Sequence, residues 1–198
     1  VRILSQLGEG SMGTDGLRKG IGEAIDEDTF WEGVHELVNL SILRRVSDRV
    51  EVSHALIRSY ANTRAEKDRA EEQPILMRLM RGYTEMFTAH ARNADYYEHL
   101  DKEREHVMAL IKGVSIPEEV SEDAVLDPVL HQYYEGISKL ARSLETYMDR
   151  QGHMDDYRGV LNQSRLAARQ RGELTDEAWS LGVLGSAYKH LGQVQDAI

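Results

Sequence analysis

Apolar residues recur along most of this chain at three- and four-residue spacing, the signature of helices with one buried face. Ile75, Leu76, Leu79, Met80, Tyr83, Met86 and Phe87 trace one stripe, and Tyr96, Leu100, Val107, Leu110 and Ile111 a second. The third and longest runs through Leu126, Val129, Leu130, Tyr133, Ile137, Leu140, Leu144, Tyr147 and Met148. Long amphipathic stripes joined by short polar connectors predict packed antiparallel helices. The break from Gly113 to Asp123, with Pro117 inside it, is the one candidate for an extended loop. The beginning of the chain has a different pattern. Thr14-Asp15 is placed to cap a helix carrying Leu17 and Ile21. Acidic residues at Asp26 to Asp28 mark the positive end of another, which carries Phe30, Val34, Leu37, Val38 and Ile42. Leu43 to Val46 and Val50 to Val52 then alternate on either side of Ser47-Asp48-Arg49, a hairpin signal, and His54 to Arg64 returns to helical spacing.

Helix, helix, hairpin, helix within 66 residues is the outline of a winged-helix domain. The last third of the chain repeats itself with a period of 40 residues: Leu144 matches Leu184, Met148 matches Tyr188, Gly152 matches Gly192 and Asp156 matches Asp196. Periods of this size mark solenoids of helix pairs. The expected fold is therefore mainly α: a winged-helix domain with a small β-hairpin over residues 1–66, a helical linker over 67–124, and a truncated superhelix of helical repeats over 125–198. Val1, Ile3, Leu4 and Leu7 read as the end of an apolar segment, and Asp196-Ala197-Ile198 as a helix barely begun. The expectation is a piece of a longer protein.

Charge narrows the partners. The 24 basic and 34 acidic side chains leave a net charge of −10, and the excess of acid holds in each of the three segments. Such a chain is poorly suited to hold phosphate backbones or anionic lipid by charge alone, so neither nucleic acid nor membrane is an expected partner. The absence of cysteine removes disulfides, thiolate zinc sites and cysteine nucleophiles together. With no apolar run near the ~20 residues of a membrane span and no basic-then-apolar leader, the expected location is the cytoplasm.

Two apparent motifs have plainer readings. Gly8-Glu9-Gly10-Ser11-Met12-Gly13 fits GxGxxG. No strand–helix–strand unit surrounds it, no kinase Lys or Asp follows in recognisable form, and no Gly-Lys-Ser/Thr triplet occurs, which leaves a flexible turn. His99, Glu103 and His106 share a helix face at i, i+4 and i+7, a possible metal geometry. Without a fourth ligand, a solvated or salt-bridged face is the simpler account.

Leu181-x-x-Leu184-Gly185-x-x-Tyr188-x-x-x-Gly192-x-x-x-x-Ala197 is similar to the first helix and turn of a tetratricopeptide repeat, while the unit before it has Glu145 and Tyr157 where small residues are usual. Leu37 to Leu43 followed by Val50 to Ala61 looks like the winged-helix segment of the NB-ARC type of signal-transduction ATPase. Tyr97-x-x-Leu100-Asp101-x-Glu103-x-Glu105-His106-Val107-x-Ala109-Leu110 is similar to the helix that joins that segment to the repeats in the bacterial form. The resemblance implies a regulatory and sensor fragment of a nucleotide-gated protein, itself no enzyme and without a cofactor of its own. A nucleotide-binding domain holding ADP or ATP would lie outside this chain, before Val1. His54 matches the histidine of the family's Met-His-Asp motif, which contacts the nucleotide, but Val52-Ser53 precedes it and Ala55 replaces the Asp. The alternative for His54 is a cap on the helix that follows.

In tetratricopeptide arrays the first helix of each pair lines the concave face. Alignment of the two units puts Lys139, Arg142, Thr146 and Asp149 on that face in the first and Trp179, Gly182, Ser186 and Lys189 in the second. Lys139, Arg142 and Lys189, with Trp179 as apolar anchor and Ser186 between, would form a locally positive groove for an acidic protein or peptide partner. Two other functions fit the same outline. One is a DNA-binding winged-helix regulator, disfavoured by Glu27, Asp28, Glu32 and Glu36 on the presumed recognition helix. The other is a plain protein-binding scaffold.

Overall fold

A computed structural model describes Leu4 and residues 11–21, 25–67, 69–113, 115–119 and 126–193. It is mainly helical, with one small antiparallel sheet. The chain divides into two compact units, Val1–Tyr83 with Asp101–Leu110, and Thr84–Leu100 with Ile111–Ile198. Residues 67–124, expected as a linker, contribute to both.

In the first unit a short strand β1 (Met12–Gly13) leads into helix α1 (Thr14–Ile21), followed by α2 (Glu27–Asn39), β2 (Leu43–Val46), β3 (Arg49–Val52) and α3 (Ala55–Lys67). Asp26 caps α2, its carboxylate accepting from the Thr29 amide at 2.9 Å and the Thr29 hydroxyl at 2.7 Å. Thr14 does not cap α1 with its side chain. Its hydroxyl and amide both donate to the Asp48 carbonyl at 2.9 Å, which ties the helix to the hairpin turn. The hairpin forms where the alternation predicts it, with Leu43 opposite Val52 and Val46 opposite Arg49. Arg49 belongs to the strand, and the turn is Ser47-Asp48 alone, with Ser47 at φ 58°. The sequence pattern did not anticipate β1, which pairs Met12 with Val50 and makes β3 the central strand of three. Two residues are too few for an alternation to register. Gly8 and Gly10 of the glycine-rich stretch lie outside the described residues.

Helix α4 (Arg69–His90) and helix α5 (Tyr97–Lys112) each begin or end in the other unit. Within the first unit, Leu76, Leu79, Met80 and Tyr83 of α4 and Val107, Met108 and Leu110 of α5 are buried along with Met12, Phe30, Val34 and Val50. Arg78 on α4 donates from Nε to the Gly20 carbonyl at 2.8 Å and from Nη2 to the Ile21 carbonyl at 3.0 Å, satisfying the exposed end of α1.

The second unit is built on α6 (Pro128–Gln151), α7 (Met154–Arg171) and α8 (Leu174–His190). Asp127 caps α6 by accepting from the Val129 amide at 2.8 Å, and Pro128 occupies the first position, where its missing N–H costs nothing. The three helices end alike. Gly152, Gly172 and Gly192 take φ of 71°, 71° and 74°, a left-handed cap that only glycine adopts without a Cβ penalty. In each case the next residue's amide reaches back to close the turn: His153 to Met148 at 3.0 Å, Glu173 to Ala168 at 3.0 Å, Gln193 to Tyr188 at 2.9 Å. A helix therefore ends every 20 residues, and two helices make the 40-residue period seen in the sequence. Phe87, Tyr97 and Tyr147 pack ring against ring, with centroids 5.2 and 5.8 Å from that of Tyr147. Tyr157 is buried with its hydroxyl donating to the Ala141 carbonyl at 3.2 Å, and the Ser164 and Ser180 hydroxyls share a buried hydrogen bond of 3.0 Å between α7 and α8.

Candidate partner-binding cleft

A cleft of about 780 Å³ opens within the second unit between the C-terminal half of α6 and the length of α8. Thr146 and Asp149 face it from α6, and Trp179, Gly182, Val183 and Ser186 from α8. Met154 and Tyr157, at the start of α7, also line it. The residues follow helical spacing, 146 and 149 on α6 and 179, 182, 183 and 186 on α8 each falling on one face of its helix. Small side chains at 182 and 186 keep one wall low. A Cβ added at Gly182 meets nothing within 4 Å.

Of the residues expected to line this groove, Trp179 and Ser186 do so, as do Thr146, Asp149 and Gly182. Lys139, Arg142 and Lys189 are not among its lining residues. Lys139 is paired with Glu135 one turn back at 2.6 Å, and this bond holds the Glu135 carboxyl below its usual range. Arg142 is committed to a network: its guanidinium lies 4.2 Å over the Trp179 ring and bonds Asp176 at 2.7 Å. Asp176 also takes Arg171 at 2.6 Å, and Arg171 reaches Ser138 Oγ at 3.2 Å. Burial pushes the Asp176 carboxyl up, but the hydrogen bonds and charges of the two arginines outweigh it and hold it below the ordinary value. Arg142 thus fixes the orientation of Trp179. Lys189 is exposed in the last turn of α8.

The charged groups that do line the cleft are of both signs, Arg92 and Arg150 with Glu145 and Asp149, and the His190 imidazole joins them. Arg150 donates to the Arg92 carbonyl at 3.3 Å, so the turn after α4 is held at the mouth. Arg92 lies outside the repeats, and repeat alignment gave no signal for it. Arg150 and His190 hold equivalent places one period apart, so the alignment could have found them.

In the first unit, His54 is exposed at the start of α3. Its Nδ1 accepts from the Leu56 amide at 3.2 Å and its carbonyl from the Arg58 amide at 3.1 Å, the role of a helix cap. Glu103 and His106 are buried, Glu103 being 4 % exposed. The Glu103 carboxylate accepts from Arg49 Nη1, from the Tyr83 hydroxyl at 2.9 Å and lies 3.2 Å from His106 Nδ1. Burial alone would raise its pKa, yet the hydrogen bond and charge of His106, followed by those of Arg49, bring it down to about 2. Burial and the neighbouring carboxylate push the Tyr83 phenol well above its usual value. Periodicity alone allowed a metal site or, more simply, a solvated or salt-bridged face; Glu103 and His106 are salt-bridged, Glu103 to both Arg49 and His106, but they are buried and not solvated. His99 lies in the other unit with its ring 4.7 Å from that of Tyr96. Among the described residues, no group of three His, Asp or Glu is arranged to hold a metal ion, and no helix is long and apolar enough to cross a membrane.

The chain was compared with protein-family models, with curated proteins and with solved structures, and no match to any of them was found.

Proposed function

We propose that this chain is the regulatory and sensor part of a nucleotide-gated signalling protein, in which the helical repeats take a protein or peptide partner and the N-terminal unit relays that event to a nucleotide-binding domain outside the chain. The cleft between α6 and α8 carries this reading. It is large, it has an aromatic anchor with Arg142 over its ring, and its four charged lining groups are two of each sign. A fixed aromatic ring in a concave, partly polar groove is the usual centre of binding energy in a protein interface. The same cleft supports the plainer scaffold function, and relay through the N-terminal unit separates the two.

The cleft is tested by Gly182→Phe, which fills it from a position where a side chain has open space. Partner capture should fall at least tenfold while thermal stability and helix content stay those of the parent. The triple change of Lys139, Arg142 and Lys189 to Glu tests the outer rim. Undiminished capture by the Gly182→Phe protein would remove the cleft from the function.

A further inference from the structure

The charges in and around the cleft divide into those the fold has paired and those it has not. Lys139 is held by Glu135, Arg142 and Arg171 by Asp176, and Arg158 on α7 by Asp155 at 2.9 Å. Glu145, Asp149, Arg92 and Arg150, which line the cleft, form no ion pair among the described residues. Arg150 donates to neutral oxygens, the Arg92 carbonyl and the Tyr97 hydroxyl at 3.5 Å. Asp149 and Arg150 are neighbours in sequence, and adjacent positions on a helix do not face each other. Glu145 and Asp149 do, at i and i+4, where two like charges repel.

The free charges are also ordered along the cleft. Two-residue turns at 152–153 and 172–173 make α7 antiparallel to both its neighbours, so α6 and α8 run the same way. From the Arg142–Asp176 bond, one turn onward brings Glu145 on α6 level with Trp179 on α8, and the next brings Asp149 level with Val183. Arg150, and the Arg92 turn bonded to it, lie beyond, toward the end of α6. Glu145 and Arg150 are five residues apart, about 7.5 Å along the helix axis. Alternate residues of an extended chain, which share one face, are about 7 Å apart. A cleft of about 780 Å³ is on the scale of a drug-sized ligand, below what a helix about 10–12 Å across fills over several turns.

We propose, resting on the reading of this cleft as the partner site, that it takes a short extended segment of a protein partner with a basic side chain at one position and an acidic one two residues away. The basic group lies between Glu145 and Asp149 and relieves their repulsion, its methylene stem along the Trp179 ring. The acidic group meets the guanidinium groups of Arg92 and Arg150. A uniformly positive groove would select an acidic segment, whereas the charges present here select one of each sign.

The test uses short peptides, blocked at both ends, in which Leu flanks Lys-Ala-Glu or Glu-Ala-Lys, with Lys-Ala-Lys and Glu-Ala-Glu as controls. They are titrated into the 198-residue chain at about 0.15 M salt and followed by the Trp179 indole N–H resonance. The better of the two mixed peptides should bind roughly tenfold more tightly than either control. Glu145→Lys should turn the preference to Glu-Ala-Glu and Arg92→Glu to Lys-Ala-Lys, with melting unchanged, because both side chains are exposed and unpaired. Mixed peptides that bind no more tightly than the controls would overturn the proposal, as would no binding at millimolar concentration. Gly182→Phe separates this failure from that of the cleft itself. If it abolishes peptide binding while the two charge reversals leave the preference as it was, the cleft stands and the proposed charge selection falls. If the peptides bind Gly182→Phe as they bind the parent, the cleft is not the site and both readings fall.

Discussion

Glu103 illustrates how far a single position was legible. Its spacing beside His106 on the helix was plain, but that it is buried depends on Arg49 and Tyr83, which lie far from it in the chain and meet it only on folding. Removing one member of such a buried charged cluster leaves the others uncompensated and costs about 3–5 kcal/mol. Glu103→Gln should lose stability of that order in urea unfolding. The pH dependence has a definite sign. The folded carboxyl titrates at about 2, against 4.5 when unperturbed, so its contribution is fully present above the unfolded value and is lost as pH falls from about 5 toward 2. The parent should lose on the order of 3 kcal/mol more than Glu103→Gln across that window. Equal losses in the two proteins would mean that Glu103 is not held as an anion in the core.

At the scale of elements, the long helices, the hairpin and the turn glycines Gly152 and Gly192 were legible, because each rests on periodicity or on a local backbone requirement, while Gly172, which ends α7, carried no repeat signal. Strand β1 was not, since its two residues are strand only by virtue of pairing with Val50 and Arg49. The close approach of α1 and α4 was equally invisible. A Cβ at Gly20 would overlap the buried Leu79 side chain, whereas one at Gly33, inside α2, meets nothing within 4 Å. Gly20→Ala should therefore destabilise by about 1–3 kcal/mol through overpacking. Gly33→Ala should stabilise by up to about 1 kcal/mol through helix propensity. Thermal melts of the two proteins should move in opposite directions, and a shift in the same direction would contradict the packing of α1 on α4.

For the whole molecule, the mainly helical fold with one small sheet followed from the sequence, and the internal repeat located the cleft. The charges lining the cleft did not follow, because repeat alignment shows which face a residue occupies but not which neighbour it pairs with. Lys139 and Arg142 are paired with Glu135 and Asp176. The sequence contains no Gly-Lys-Ser/Thr triplet to cradle a phosphate, so calorimetry should find no ATP binding by the chain alone at micromolar concentration. Binding there would mean that nucleotide is held by this chain and not by a separate domain. The central claim is that a partner held in the cleft is sensed by the N-terminal unit. Hydrogen exchange of the chain with and without a captured partner measures both halves at once. The account predicts protection in the segments 145–150 and 179–190, which contain most of the lining residues, together with altered exchange in the hairpin and α3 of the N-terminal unit. Protection confined to other surfaces, or protection of the cleft with exchange in the N-terminal unit unchanged, would contradict it.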